Sequence, residues 1–103
     1  MGILDLIGLG KGKQEFQAMV EEGAVILDVR TKREYSGGHI KGSKNIPLDQ
    51  LQSRLSEVKA FGTPVITCCA SGMRSGSAAS MLCKNGVDAM NGGGWMSLSS
   101  RLG

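Results

Sequence analysis

Two runs of consecutive apolar residues constrain this chain most: Ala24-Val25-Ile26-Leu27, stopped by Asp28, and Val65-Ile66-Thr67-Cys68-Cys69, opened by Pro64. Neither alternates with polar residues, so each reads as a strand covered on both faces. Around them apolar residues recur at helical spacing. Phe16, Met19 and Val20 lie between Gly12 and Gly23, and Leu48, Leu51, Leu55 and Val58 share one stripe. A further helix is expected from about Arg74 to Lys84, carrying Ala78, Ala79, Met81 and Leu82 and closed by Asn85-Gly86. Arg33-Glu34-Tyr35 makes at most a helical turn, and Ser43 to Pro47 a short extended piece. Val87-Asp88-Ala89-Met90 reads as a last short strand before a weak terminal helix. Strands alternating with helices predict an α/β fold with a central parallel sheet flanked by helices on both faces. Ligands in such folds bind past the carboxyl ends of the strands, and Cys69 stands at such an end.

A length of 103 residues leaves room for one domain, placed at 13–103 after an N-terminal segment, helical or frayed, at 1–12. With 41% apolar and 20% charged residues, the composition excludes disordered, collagen-like and membrane-spanning classes. Glycine, at 16 residues, is about twice its usual ~7% share, while aromatics are only 4%, so backbone more than ring stacking should do the recognising. Through Glu57 eight basic residues balance eight acidic ones; beyond it Lys59, Arg74, Lys84 and Arg101 face Asp88 alone. The second half therefore favours small anions. No dense basic stripe with interleaved aromatics points to nucleic acid. Three cysteines, two of them adjacent, make a poor disulfide framework and fit a reducing cytoplasm. The run from Met1 to Leu9 is short, broken by Asp5 and followed by its lysines, unlike a signal peptide.

The order strand, Cys69, Ala70-Ser71-Gly72-Met73, Arg74-Ser75, helix has a physical consequence. Small residues let successive backbone N–H groups turn inward as a nest, and the helix N-terminus adds partial positive charge. A cysteine sulfur at the rim of such a nest is held as thiolate, its pKa falling from about 8.5 into roughly the 3.5–7.5 range. Cys69 is thus the expected nucleophile. Cys68 points to the other side of its strand and is read as packing, as is Cys83 beside Ala79. Arg74 is expected to tie the loop through carbonyls and a carboxylate. Asp28 and Arg30 should close the loops around the pocket, pairing with each other or with Arg74. His39 is the sole histidine, and no Cys-x-x-Cys spacing accompanies it, so neither a metal nor a cofactor is expected. Cys68 to Arg74 also has the Cys-x5-Arg outline of a cysteine phosphatase, whereas Cys69 to Arg74 gives a tighter loop suited to a single anionic sulfur.

The segment Cys69-Ala70-Ser71-Gly72-Met73-Arg74-Ser75 resembles the C-x-S-G-x-R-S active loop of the rhodanese family. Val25 to Arg30, Glu34-Tyr35, Gly38-His39-Ile40, Gly42-Ser43 and Asn45-Ile46-Pro47-Leu48 are similar to that family's first half. Gly92-Gly93 with Trp95 is similar to its final turn. The resemblance implies a single small rhodanese-like domain and a sulfurtransferase that carries a sulfane sulfur as a Cys69 persulfide. Ala70, Ser71, Gly72, Met73, Arg74 and Ser75 would bind the substrate. The implied partners are thiosulfate or a low-molecular-weight persulfide as donor, a thiol or cyanide as acceptor, and a protein persulfide as a further donor, with the chain acting as a monomer. Ala70 and Met73 depart from relatives with polar or charged residues there, which weakens the case for thiosulfate. Two other readings stay open: a phosphatase or arsenate reductase working through Cys68, and a binding module that keeps the fold without catalysis.

Overall fold

The computed structural model describes residues 13–102. The segment expected at 1–12 lies outside them. Helix α1 (Lys13–Glu21) buries Phe16 and half-buries Met19 and Val20, the face that the apolar spacing predicts. Strands β1 (Val25–Asp28), β2 (Lys44–Asn45), β3 (Val65–Cys69) and β4 (Ala89–Gly94) form one parallel sheet in the order β2-β1-β3-β4. Helix α2 (Lys32–Ser36) follows β1. Helix α3 (Leu48–Leu51), a 3-10 turn (Gln52–Arg54) and α4 (Leu55–Ala60) link β2 to β3. Helix α5 (Met73–Lys84) links β3 to β4, and α6 (Trp95–Arg101) closes the chain.

The two central strands send alternate side chains to opposite layers, as a parallel sheet covered on both faces requires. Leu27, Val65 and Cys69 join Leu51, Val58, Ala78 and Leu82 beneath α3, α4 and α5. Ile26, Ile66 and Cys68 join Phe16 and Leu98 beneath α1 and α6. The chain is therefore the small single-domain α/β fold with a central parallel sheet that the alternation of runs predicts. No helix among the described residues is long and apolar enough to cross a membrane.

Three local expectations are corrected. The stripe Leu48, Leu51, Leu55, Val58 runs through two short helices joined by a 3-10 turn, because Arg54 (φ −116°, ψ 22°) leaves helical geometry. Leu51 and Val58 are buried all the same.

The last strand is Ala89–Gly94 instead of Val87–Met90. The Val87 N–H is spent on the Leu82 carbonyl at the end of α5 (2.9 Å). The strand continues through glycines because a Cβ on Gly92 would stand 2.8 Å from Ile66 Cγ2 and from the Thr67 carbonyl. Close packing thus selects the residue that strand propensity disfavours.

Cys83 is exposed and directs its Sγ at the Ala89 carbonyl (3.2 Å) instead of packing beside Ala79. Leu82 takes the core position on the last turn of α5, and its neighbour faces outward.

Candidate functional site

β1 and β3 end side by side, Asp28 opposite Cys68, so both of their loops leave the same edge of the sheet. After Cys69 the chain turns through Ala70 and Ser71 to Gly72, whose φ of +103° lies in the left-handed region where a side chain is strained. That turn aims the start of α5 back at the strand. The Gly72 N–H donates to Cys69 Sγ at 3.0 Å and the Ser75 N–H at 3.3 Å, while the thiol donates to Ser75 Oγ at 3.3 Å. Thr67 Oγ1 donates to the Ser75 carbonyl (2.8 Å) and fastens the first turn of α5 to β3. Burial pushes the Cys69 thiol up, but the Ser75 hydroxyl and the amides of Ser75, Gly72 and Ser71 outweigh it, leaving the thiol more acidic than usual.

The sulfur sits on the floor of this cradle, not at its rim. Cys69 has 0% of its surface exposed, whereas Ala70, Ser71 and Met73 above it are exposed. A nest folded tightly enough to aim its amides at one sulfur covers that sulfur with its own backbone. Two hollows of about 520 and 580 Å³ lie elsewhere, one between α4 and the α5–β4 turn and one along α5, and neither is lined by a residue of 69–75.

Cys68, equally buried, has its sulfur in the opposite layer with Ile26, Ile66 and Leu98. Burial, with a smaller push from Asp28, raises its thiol to about 12. The structure thus separates the two adjacent cysteines chemically.

Arg74 does not reach Asp28. It forms a two-pronged pair with Glu34 of α2, at 2.8 and 3.0 Å, with both side chains about one-third exposed. The Arg74 hydrogen bonds, followed by the Thr31 backbone N–H, hold the Glu34 carboxyl down at about 2. Glu34 also closes the N-terminus of α2: the Thr31 N–H donates to Glu34 Oε1 (3.0 Å), and the Glu34 N–H to Thr31 Oγ1 (3.1 Å).

Asp28 and Arg30 pair with each other through Nε and Nη2 at 2.9 and 2.7 Å, both buried. Arg30 also donates to the Gly38 carbonyl (2.7 Å) and lies 4.7 Å from the Trp95 ring centre, locking the loop after β1 to the start of α6. His39 stacks on Tyr35 with ring centres 3.8 Å apart. Its Nδ1 shares a 2.8 Å hydrogen bond with the Tyr35 carbonyl. Among the described residues no cluster of His, Cys, Asp or Glu can hold a metal ion.

Two neighbours of the cradle escape sequence reasoning. Glu34 stands 40 residues from Arg74, and nothing local announces the pair. Asn91 precedes three glycines and carries no signal of its own in the sequence, yet it contacts the cradle. A bulge, in which Thr67 pairs with Asn91 but Cys69 with Gly94, brings β4 against the loop. There a Cβ on Gly94 would lie 2.9 Å from the Ala70 carbonyl oxygen.

The chain and its fold have counterparts among known proteins. The rhodanese-like domain family model matches residues 12–99. The chain is 45% identical to the uncharacterized protein YqhL of Bacillus subtilis over 74 residues, which are 72% of this chain and 57% of YqhL. It thus spans little more than half of that relative. It is 35% identical to the thiosulfate sulfurtransferase GlpE of Pseudoalteromonas translucida over 83 residues, 78% of each protein. Among solved structures, the rhodanese-like domain protein of Staphylococcus aureus superposes with a TM-score of 0.71 at 30% identity, over 84% of this chain and 86% of that one. The reduced CoADR-RHD of Bacillus anthracis superposes with a TM-score of 0.73 at 39% identity, over 87% of this chain but 16% of that longer one. A match across nearly all the described residues, on a fold that ends its second central strand in a tight loop around one cysteine, places the chain in the rhodanese-like domain family.

Proposed function

We propose that this chain is a sulfurtransferase that carries a sulfane sulfur on Cys69. The observation that carries the reading is the pair of amides, Gly72 and Ser75, directed at one sulfur from 3.0 and 3.3 Å. The Cys69 thiolate attacks the outer sulfur of a donor R–S–S⁻. The new bond gives Cys69–S–S⁻, the donor's S–S bond breaks, and R–S⁻ leaves and takes up a proton. An acceptor thiolate then attacks the terminal sulfur and regenerates Cys69. The electrons balance within the two exchanges. The same N–H groups that favour a thiolate favour the anionic persulfide, with no separate general base.

The donor that suits this loop is a persulfide on a small thiol or a protein. Ala70 and the 81% exposed Met73 offer no charge to a sulfonate, and Arg74 is already neutralised by Glu34. GlpE of Pseudoalteromonas translucida is a thiosulfate sulfurtransferase, so thiosulfate is the comparison donor. Access requires the exposed segment Ala70–Met73 to part over the sulfur. A phosphatase working through Cys68 is disfavoured because that sulfur lies in the other layer.

Intact-mass measurement of the reduced protein tests the reading. One sulfur atom should be added at Cys69 by glutathione persulfide, and more slowly by thiosulfate. An unchanged mass with both donors would overturn it in favour of a non-catalytic binding module.

A further inference from the structure

Asn91 reaches the cradle from β4 with both ends of its amide. Its Oδ1 accepts the Ser75 hydroxyl at 2.7 Å and the Gly93 N–H at 2.9 Å, and its Nδ2 donates to the Gly72 carbonyl at 3.2 Å. These partners fix its orientation, since turning the amide over would set an NH2 group against two donors. Ser75 Oγ therefore stands between two acceptors, Asn91 Oδ1 and Cys69 Sγ, with a single proton to give. While Cys69 is a thiol it donates to Ser75, and Ser75 donates to Asn91. Once Cys69 is a thiolate it donates nothing, and the Ser75 proton must either turn to sulfur or stay on Asn91.

We propose that Asn91 is a positioning residue for Cys69: it competes with the sulfur for the Ser75 proton and keeps the thiol less acidic than the amide cradle alone would make it. The inference rests on the reading of Cys69 as a nucleophile and extends it. A thiolate loses attacking power as its pKa falls, and the best attacking thiol has a pKa near ambient pH. A competitor for one donor therefore keeps the sulfur reactive where the full cradle would over-stabilise it.

The other titratable groups near Cys69 are Cys68 on its own strand, Asp28 at the end of β1 and Arg30 just after it, and the Arg74–Glu34 pair from α5 and α2. The charged residues Asp49, Glu57, Lys59 and Lys84 of α3, α4 and α5 are exposed. β4 contributes no titratable side chain. The Cys69 sulfur is hydrogen-bonded to Gly72 and Ser75, and the two alanine substitutions below leave the charges around it in place.

The test is the pH dependence of iodoacetamide alkylation in the full chain, read at the Cys69 peptide by mass so that exposed Cys83 does not contribute. Asn91→Ala should lower the Cys69 midpoint by about half a pH unit, the scale of one neutral hydrogen bond. Ser75→Ala should raise it, and adding Asn91→Ala to Ser75→Ala should change nothing further. A midpoint raised or unmoved by Asn91→Ala overturns the proposal, and so does an equal fall without Ser75, which would place the effect in the Gly72 contact. Asn91→Asp keeps the acceptor oxygen and adds a negative charge, both of which disfavour the thiolate, so the midpoint should rise above that of the unaltered chain; a fall would likewise overturn the proposal. Alkylation needs no sulfur donor, so a chain that takes up no sulfur would defeat the transfer reading and leave this result standing.

Discussion

Cys68 and Cys69 are neighbours on one strand, both with no exposed surface, and their thiols are pushed in opposite directions. Cys68 faces Ile26, Ile66 and Leu98, where desolvation outweighs the nearby Arg30 charge and holds its proton on. Cys69, one residue later and on the other side of the sheet, receives two backbone amides at the start of a 12-residue helix. Burial is common to both, so burial does not decide the direction of the shift. The direction of a few N–H groups does.

The severest way to break this comparison is to exchange the two roles. Cys69→Ser should lower sulfur uptake by ~10³-fold or more, because no other thiol has the cradle, whereas Cys68→Ser should change it by no more than about threefold. The added mass, followed over time, would record it. Equal losses would show that the strand end acts as a dithiol unit.

A smaller effect sharpens the same contrast by moving the cradle and leaving both sulfurs. In Gly94→Ala the new Cβ meets the Ala70 carbonyl, and overpacking of this kind costs about 1–3 kcal/mol. Urea unfolding should show that loss, and the alkylation midpoint of Cys69 should rise as its amides are turned away. Cys68, whose layer is untouched, should stay unreactive below pH 9.

Smallest is the effect of Glu34→Gln, since an ion pair a third exposed contributes about 0.2–1 kcal/mol. The Glu34 carboxyl in the folded chain is depressed to about 2 from an ordinary 4.5. Its contribution is therefore complete above about 4.5 and drains away as pH falls toward 2. Stability measured across that window should lose part of its acid slope in the variant, the deficit being fullest at neutral pH and vanishing as pH falls toward 2.

Much of this could be read from the residues, for stated physical reasons. Val25–Leu27 and Val65–Cys69 carry their strand character in their own side chains, because a strand buried on both faces needs an apolar residue at every position. The loop Cys69–Ser75 is likewise legible, since small residues before a helix announce a nest. β4 is not, because Asn91-Gly92-Gly93-Gly94 is extended only under the demand of Ile66, Thr67 and Leu98 for space, which no local pattern contains. The depth of Cys69 is not legible either, for a related reason: how completely a loop covers its own contents is a property of three dimensions. The partner of Arg74 could be foreseen as a carboxylate but not as Glu34, and Asn91 gave no sign beyond its place before glycines.

Glu34 serves two masters. One of its oxygens completes the cap of a five-residue helix, and the same oxygen, with its twin, grips the first turn after Cys69. A helix that short has little cooperativity of its own, and it is stapled to the sulfur loop by a group it needs for itself. Fraying of residues 31–36 would therefore also release one of the ties that hold the turn after Cys69.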